Sequence, residues 1–526
     1  MLNIFKKDYF LILILYTFAH GLILLNGGIY WDDWVLYNVD KAITIDRFWQ
    51  NGAIWVGYFH GFLLSFENGI FLYRLSVFLA FFLSALFLNS ILKNIREIDS
   101  TSRFFIVLFF ALFPVNSARI ALITVPYALS YFLFFLGFWV VSKYSISKNI
   151  FLRFLSLPIL FSSFFIKSLL IFYCLVILYI IYNEKVYINS LASLMKGALK
   201  YIDFLLLPVV FWIIQSIYFV PYGFYQGYNK LSLQDLWLPL TYKSLSDSFN
   251  LSFIEVLKAS LHSLSPFILI IFVAILALVI SKQKINYQEQ NNKDIWLFAM
   301  GVLSFFIAVY PYIVTNHLPS LYDWNSRNQL LVPLGSSFIL YYGIKIISNK
   351  LRVNVNVRIL IYSVLILLFI NANINNYIEY EKDWYKQLSL IENLKANDDI
   401  RDNTTFLFKD NTLDFNAKDR TYRFYEYTGL LKYSFNDEKR FGENLNDFKK
   451  MDAYKPYLNA YYNMNDYKLR DPEFQVVINH GEYNLTNIDD FFKLEYLELF
   501  EHETFESKVG QLISLEVVRF KDHYES

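Results

Sequence analysis

Two adjacent carboxylates, Asp32 and Asp33, follow the first long apolar run of the chain and sit between Trp31 and Trp34. Paired carboxylates there suit the removal of a proton from an acceptor hydroxyl or amine, or the holding of a divalent cation such as Mg2+ or Mn2+ through oxygen. Further along come Arg74, Arg119, Lys167, His317 and Arg327, each near the end of an apolar run or in the loop beside one. Cations at that depth can hold a phosphate, arginine through a bidentate fork and lysine as a point charge. Ionisable side chains are expensive in hydrocarbon, so a set gathered at one membrane boundary points to function. Tyr310, Tyr312, His60 and Arg47 are secondary candidates for substrate contacts. Each has a plainer alternative. The acidic pair also reads as a helix cap for residues 34–41. Trp31, Trp34, Trp49 and Trp55 read more readily as an interfacial aromatic belt than as sugar platforms. Arg74 and Arg119 also read as side chains snorkelling to lipid headgroups. Arg327 also reads as an anionic-lipid contact or a bridge to Asp323, and His317 equally as a structural histidine.

Membrane spans must position these residues. The chain has 526 residues, 56% of them hydrophobic, 20% aromatic and only 18% charged, with one cysteine. Soluble proteins carry about 25% charged residues. Apolar stretches fall at 9–26, 70–92, 104–122, 126–142, 151–166, 168–182, 201–220, 263–281, 295–314, 328–347 and 357–372. A helical crossing needs about 20 residues, so 151–182 reads as a tight helical hairpin turning near Lys167. No small-residue cleavage site follows the first run, which is expected to be an uncleaved span. The expected fold is a polytopic α-helical membrane protein of about 11 transmembrane helices.

Charge gives the orientation. Residues 1–372 carry 27 Lys+Arg against 16 Asp+Glu, whereas residues 373–526 carry 20 against 30. With Lys6 and Lys7 cytoplasmic, every inner loop is basic, including those with Lys93, Arg96 and Arg103 and with Lys345, Lys350, Arg352 and Arg358. Loops 27–69 and 221–262 and the tail 373–526 then lie outside the cytoplasm. Short strand-like runs at 404–408, 474–479 and 512–520, between polar helical stretches, predict a mixed α/β extracytoplasmic domain.

The acidic pair in Gly27-Gly28-Ile29-Tyr30-Trp31-Asp32-Asp33-Trp34, directly after the first span, resembles that of the GT-C superfamily of polyprenyl-linked membrane glycosyltransferases. The layout of residues 1–372 is similar to that of bacterial O-antigen glucosyltransferases, lipid A aminoarabinose transferases and protein O-mannosyltransferases. The resemblance implies a catalytic carboxylate at Asp32, Asp33 or both. It also implies paired short helices around Ser162–Leu170 with Lys167. A late outer loop, from Tyr310-Pro311-Tyr312 through His317 to Asn325-Ser326-Arg327, would contact the donor phosphate. The implied enzyme is a hexosyltransferase of the bacterial inner membrane. Its donor would be a polyprenyl-phosphate sugar, and its acceptor a cell-surface glycan, such as lipopolysaccharide or its lipid-linked precursor. The implied active site is periplasmic.

Other classes fit less well. An O-antigen polymerase shares the lipid partner and outer arginines, but is not expected to open with an acidic pair or to carry a folded outer tail. A transporter or lipid flippase should show repeated halves and polar breaks near the bilayer midplane. The acidic tail argues against nucleic acid, which demands a basic face, and no Gly-rich phosphate loop or zinc-binding histidine pair stands out.

Overall fold

The computed structural model describes residues 2–37, 39–183, 191–227, 242–262, 292–315, 317, 319–321, 323–462, 471–485 and 488–519. It is mostly helical, with a small sheet in the C-terminal part. Among the described residues, four helices have the length and apolar composition to cross a membrane: Gly69–Leu92, Leu122–Ser147, Lys293–Val314 and Val355–Lys395. Shorter apolar helices, Tyr9–Leu24, Ser100–Leu112, Ile150–Ser163, Ser168–Asn183 and Ile202–Tyr218, accompany them. The expected stretch 328–347 forms the helix Val332–Lys350. The stretch 263–281 and part of the 221–262 loop lie outside the described residues.

Two boundaries differ from expectation. The stretch 104–122 is not one continuous helix, because its helix stops at Leu112. Pro114 disfavours helical backbone at the residue before it, and Phe113 is extended with ψ 119°. The chain continues as two 3-10 turns, Ser117–Ile120 and Leu122–Thr124. Residues 102–112 are buried throughout, so this short helix is enclosed by protein. Second, the polarity change at 372 falls inside one helix. The helix Val355–Lys395 runs 41 residues through it, about 60 Å at 1.5 Å per residue, and contains neither glycine nor proline. Its first half lies in the apolar body and its second half forms the floor of the C-terminal domain.

That domain carries strands β1 (Thr405–Asp410), β2 (Phe441–Asn444), β3 (Phe474–His480) and β4 (Ile513–Arg519) in the order β2-β1-β3-β4. β1 runs parallel to β2 and β3, and β4 is antiparallel to β3. Lys386, wholly buried, secures the sheet to the long helix through Asp410 Oδ2 at 2.5 Å, Asn416 Oδ1 at 2.7 Å and the Thr412 carbonyl at 3.1 Å.

The domain packs on the loop of residues 27–69. Trp34 lies against Gly429 in the helix Phe424–Phe435, where a β-carbon would come within 2.7 Å of the indole. Arg47 donates to the carbonyls of Val35, Ala460 and Tyr461, tying the loop to the helix Lys455–Tyr462.

Candidate active site

The acidic pair lies on a 3-10 turn, Trp31–Val35. Gly28 precedes it because a β-carbon there would stand 2.1 Å from the Tyr30 hydroxyl oxygen. Arg74 donates to the Gly28 carbonyl at 2.6 Å and to Asn26. Trp31 adopts a left-handed backbone, φ 50°. That conformation is strained for a bulky side chain and persists only where the surroundings enforce it.

The two carboxylates then part. Asp33 is fully buried, and its oxygens accept from the backbone N–H groups of Leu122 and Ile123, each at 2.8 Å, and of Tyr30 at 3.2 Å. One side chain thus caps both its own turn and the Leu122–Thr124 turn. Burial lifts its carboxyl to about 7 against the pull of these donors. Asp33 is a staple between two loops.

Asp32 faces the C-terminal domain. It shares a hydrogen bond with Tyr425, and Arg327 and Arg423 bear on it electrostatically. Tyr425 is also hydrogen-bonded to Arg423. Burial raises the Asp32 carboxyl above its usual range, and these three partners oppose the rise. A carboxylate poised in this way suits a general base. The pair does not fit the expected Mg2+ or Mn2+ site, because Asp33 has committed both oxygens to backbone amides and Asp32 stands between two arginines.

Arg327 lies on the 3-10 helix Trp324–Gln329, stacked 4.2 Å over the Trp324 ring. Trp324 in turn packs against Trp31 at 5.7 Å between centroids. Ser326 Oγ accepts from Ala118 N at 2.8 Å and meets Ser117 Oγ at 2.9 Å, fixing this late loop against the turn that follows Pro114. Tyr312 is felt by Arg327 and its hydroxyl meets Ser168 Oγ at 3.1 Å, which links the late loop to the short hairpin. Lys167 is exposed at the hairpin turn, one residue before Ser168. Tyr310 and His317 are half-buried nearby, and the His317 N–H donates to the Tyr312 carbonyl at 2.9 Å.

Other expected residues do not converge on Asp32. Arg74 is consumed by the Asn26–Gly28 backbone. Arg119 points into the helical core, donating to Asn373 Oδ1 at 3.1 Å and lying over Phe81. Neither snorkels, since both are buried. His60 stacks between Phe48 and Tyr73, with Nδ1 2.6 Å from the Tyr73 hydroxyl, and Arg47 is the domain tie described above. Trp31 and Trp34 are buried in the junction, not displayed in a belt.

Sequence reasoning missed the C-terminal half of the site. Arg420, wholly within the junction, donates to Asp383 Oδ2 at 2.8 Å and Glu426 Oε1 at 2.5 Å and lies 5.2 Å from the Trp31 ring. Glu426 accepts from the N–H groups of Trp31 and Arg423. The signal was the run Arg420-Thr421-Tyr422-Arg423-Phe424-Tyr425-Glu426, dense in arginine, tyrosine and acid. Compared with known proteins, the chain matches no protein-family model and no curated protein.

Proposed function

We propose that the chain is an integral membrane glycosyltransferase acting outside the cytoplasm, moving a sugar from a polyprenyl-phosphate-linked donor to a cell-surface glycan or lipid-linked acceptor. The observation that carries this reading is Asp32, a single carboxylate held among Tyr425, Arg423 and Arg327 where apolar helices meet an outer domain. In the reaction, Asp32 takes the proton of the acceptor hydroxyl. The acceptor oxygen forms its bond to the anomeric carbon as the bond from that carbon to the phosphate oxygen breaks. The electron pair leaves on the phosphate, where Arg327, with Lys167 at the rim, offsets the growing charge. Attack from the face opposite the phosphate inverts the anomeric centre.

The same reading has eleven spans, a cytoplasmic N-terminus and an outer C-terminal domain. Its support is the basic character of each loop assigned to the inside. The test uses purified protein in lipid with a panel of radiolabelled polyprenyl-phosphate sugars. Wild type should consume one donor, Asp32→Asn should bind it without turnover, and Arg327→Ala should bind it poorly. If no donor is bound or consumed, and Asp32→Asn behaves as wild type in cells, the reading fails.

A further inference from the structure

A second polar cluster lies at the junction, built from residues other than those around Asp32. Glu381 and Tyr385 project from one face of the long helix, four residues apart, and Glu495 and Glu498 from the facing helix Ile488–Phe500, three apart. The carboxylate oxygens of Glu381, Glu495 and Glu498 lie within 4.8 Å of one another. The Tyr385 hydroxyl sits 2.7 Å from Glu495 Oε1 and 3.0 Å from Glu498 Oε2. A phenol has one proton to donate, so it cannot satisfy both carboxylates.

Glu381 supplies an independent observation. It is 3% exposed, its Oε2 accepts from Asn26 Nδ2 at 2.5 Å, and its Oε1 has no hydrogen-bond partner among the described residues. Among the described residues no lysine or arginine forms an ion pair with any of the three acids. Arg74 acts on Glu381 electrostatically but is already committed to Asn26 and Gly28. His502 acts on Glu498 but pairs with Glu506. Gathering three carboxylates in a largely buried place without a counter-charge is costly. Glu498 is only half-buried, so solvent reaches the rim of the cluster.

We propose that Glu381, Glu495 and Glu498 hold one hard divalent cation, calcium, which clamps the C-terminal domain to the long helix and to Asn26 at the end of the first apolar helix. Every donor is oxygen, and no histidine or cysteine belongs to the group, which excludes the softer metals. Calcium accepts an irregular set of carboxylates, whereas magnesium demands a near-ideal octahedron and keeps its waters. The clamp is independent of the reaction proposed at Asp32, so each stands or falls alone.

The test uses the full chain in detergent, stripped with chelator, with no sugar donor present. Terbium serves as the luminescent probe, sensitised by Trp384 and Tyr385, and calcium as the competitor. The expected results are terbium emission displaced by calcium at about 0.1–1 mM, the range of extracellular calcium modules, and a thermal midpoint that rises with calcium and falls with chelator. Glu498→Gln, at the rim, should weaken calcium competition about tenfold or more while leaving the midpoint of the stripped protein unchanged or higher. Glu381→Gln should abolish the calcium response. If wild type shows no calcium-dependent emission or midpoint, if Glu498→Gln responds like wild type, or if magnesium competes equally well, the proposal is overturned.

Discussion

Asp32 and Asp33 are neighbours of the same chemistry whose surroundings divide their work. Asp33 gives its lone pairs to three backbone amides, two of them about 90 residues away, so Asp33→Asn should act on stability. Hydrogen bonds to a charged group contribute about 1.5–3 kcal/mol each, and losing this staple should lower the thermal midpoint while residual activity follows the folded fraction. Asp32→Asn should do the reverse, leaving the midpoint within a few degrees and cutting turnover by about 10²–10⁴, the range for a lost general base. The acid limb of kcat/KM checks the assignment further. In the proposed reaction Asp32 acts only when ionised, and burial places its carboxyl above the usual range. Activity should therefore vanish as pH falls through that raised value. Arg423 favours the ionised form, so Arg423→Ala should move the limb to higher pH. The acidic pair was legible in the sequence because two carboxylates beside an apolar run are conspicuous. Its division was not, because the partners of Asp33 lie beyond the Phe113-Pro114 break and those of Asp32 lie in the tail.

At the scale of elements, long apolar runs gave the long helices directly, and Gly137, Gly301 and Pro311 inside two of them did not break the helix. The errors came where another force set the boundary. The long helix continues past residue 372 because nothing in its backbone stops it, and polarity changes only which neighbours it meets. β2 escaped notice because Phe441-Gly442-Glu443-Asn444 has no alternation and includes a glycine; it is a strand because it pairs with β1. The placement of Glu443 in that strand has a measurable consequence. Burial lifts its carboxyl to about 7, whereas an unfolded glutamate titrates near 4.3. The folded state therefore holds the proton more tightly, and its contribution to stability is full below the unfolded value and lost as pH rises towards 7. Glu443→Gln should flatten that slope in thermal melts across pH 4.5–7.5. The Arg420 network is a sharper dependence. Removing this guanidinium leaves Asp383 and Glu426 buried without their cation, and breaking a buried pair costs about 3–5 kcal/mol. Arg420→Ala should show that loss in thermal melts, together with a loosened Trp31–Asp32 turn seen as faster proteolysis of the first outer loop.

For the whole molecule, the contacts impose a parity on the topology. Trp34 packs on Gly429, Arg47 reaches Tyr461, and Asp32 meets Tyr425, so the first outer loop and the C-terminal domain must share one side of the membrane. The chain between Gly69 and Lys395 must then cross an even number of times. The ten crossings read from apolar runs satisfy this, and the four longest helices alone would as well. In the proposed reading, the basic loops put this shared side outside the cytoplasm. Replacing Cys174 by serine and placing single cysteines at exposed sites tests both points. Ser65→Cys and Ser514→Cys should react with a membrane-impermeant maleimide on intact spheroplasts, and Ser147→Cys only after permeabilisation. Labelling of Ser147→Cys in place of the other two would invert the orientation and bring Asp32 to the cytoplasm, where a nucleotide-sugar donor would become the better substrate class. Labelling of Ser65→Cys and Ser514→Cys on opposite sides would break the parity and, with it, every site that joins the first outer loop to the tail.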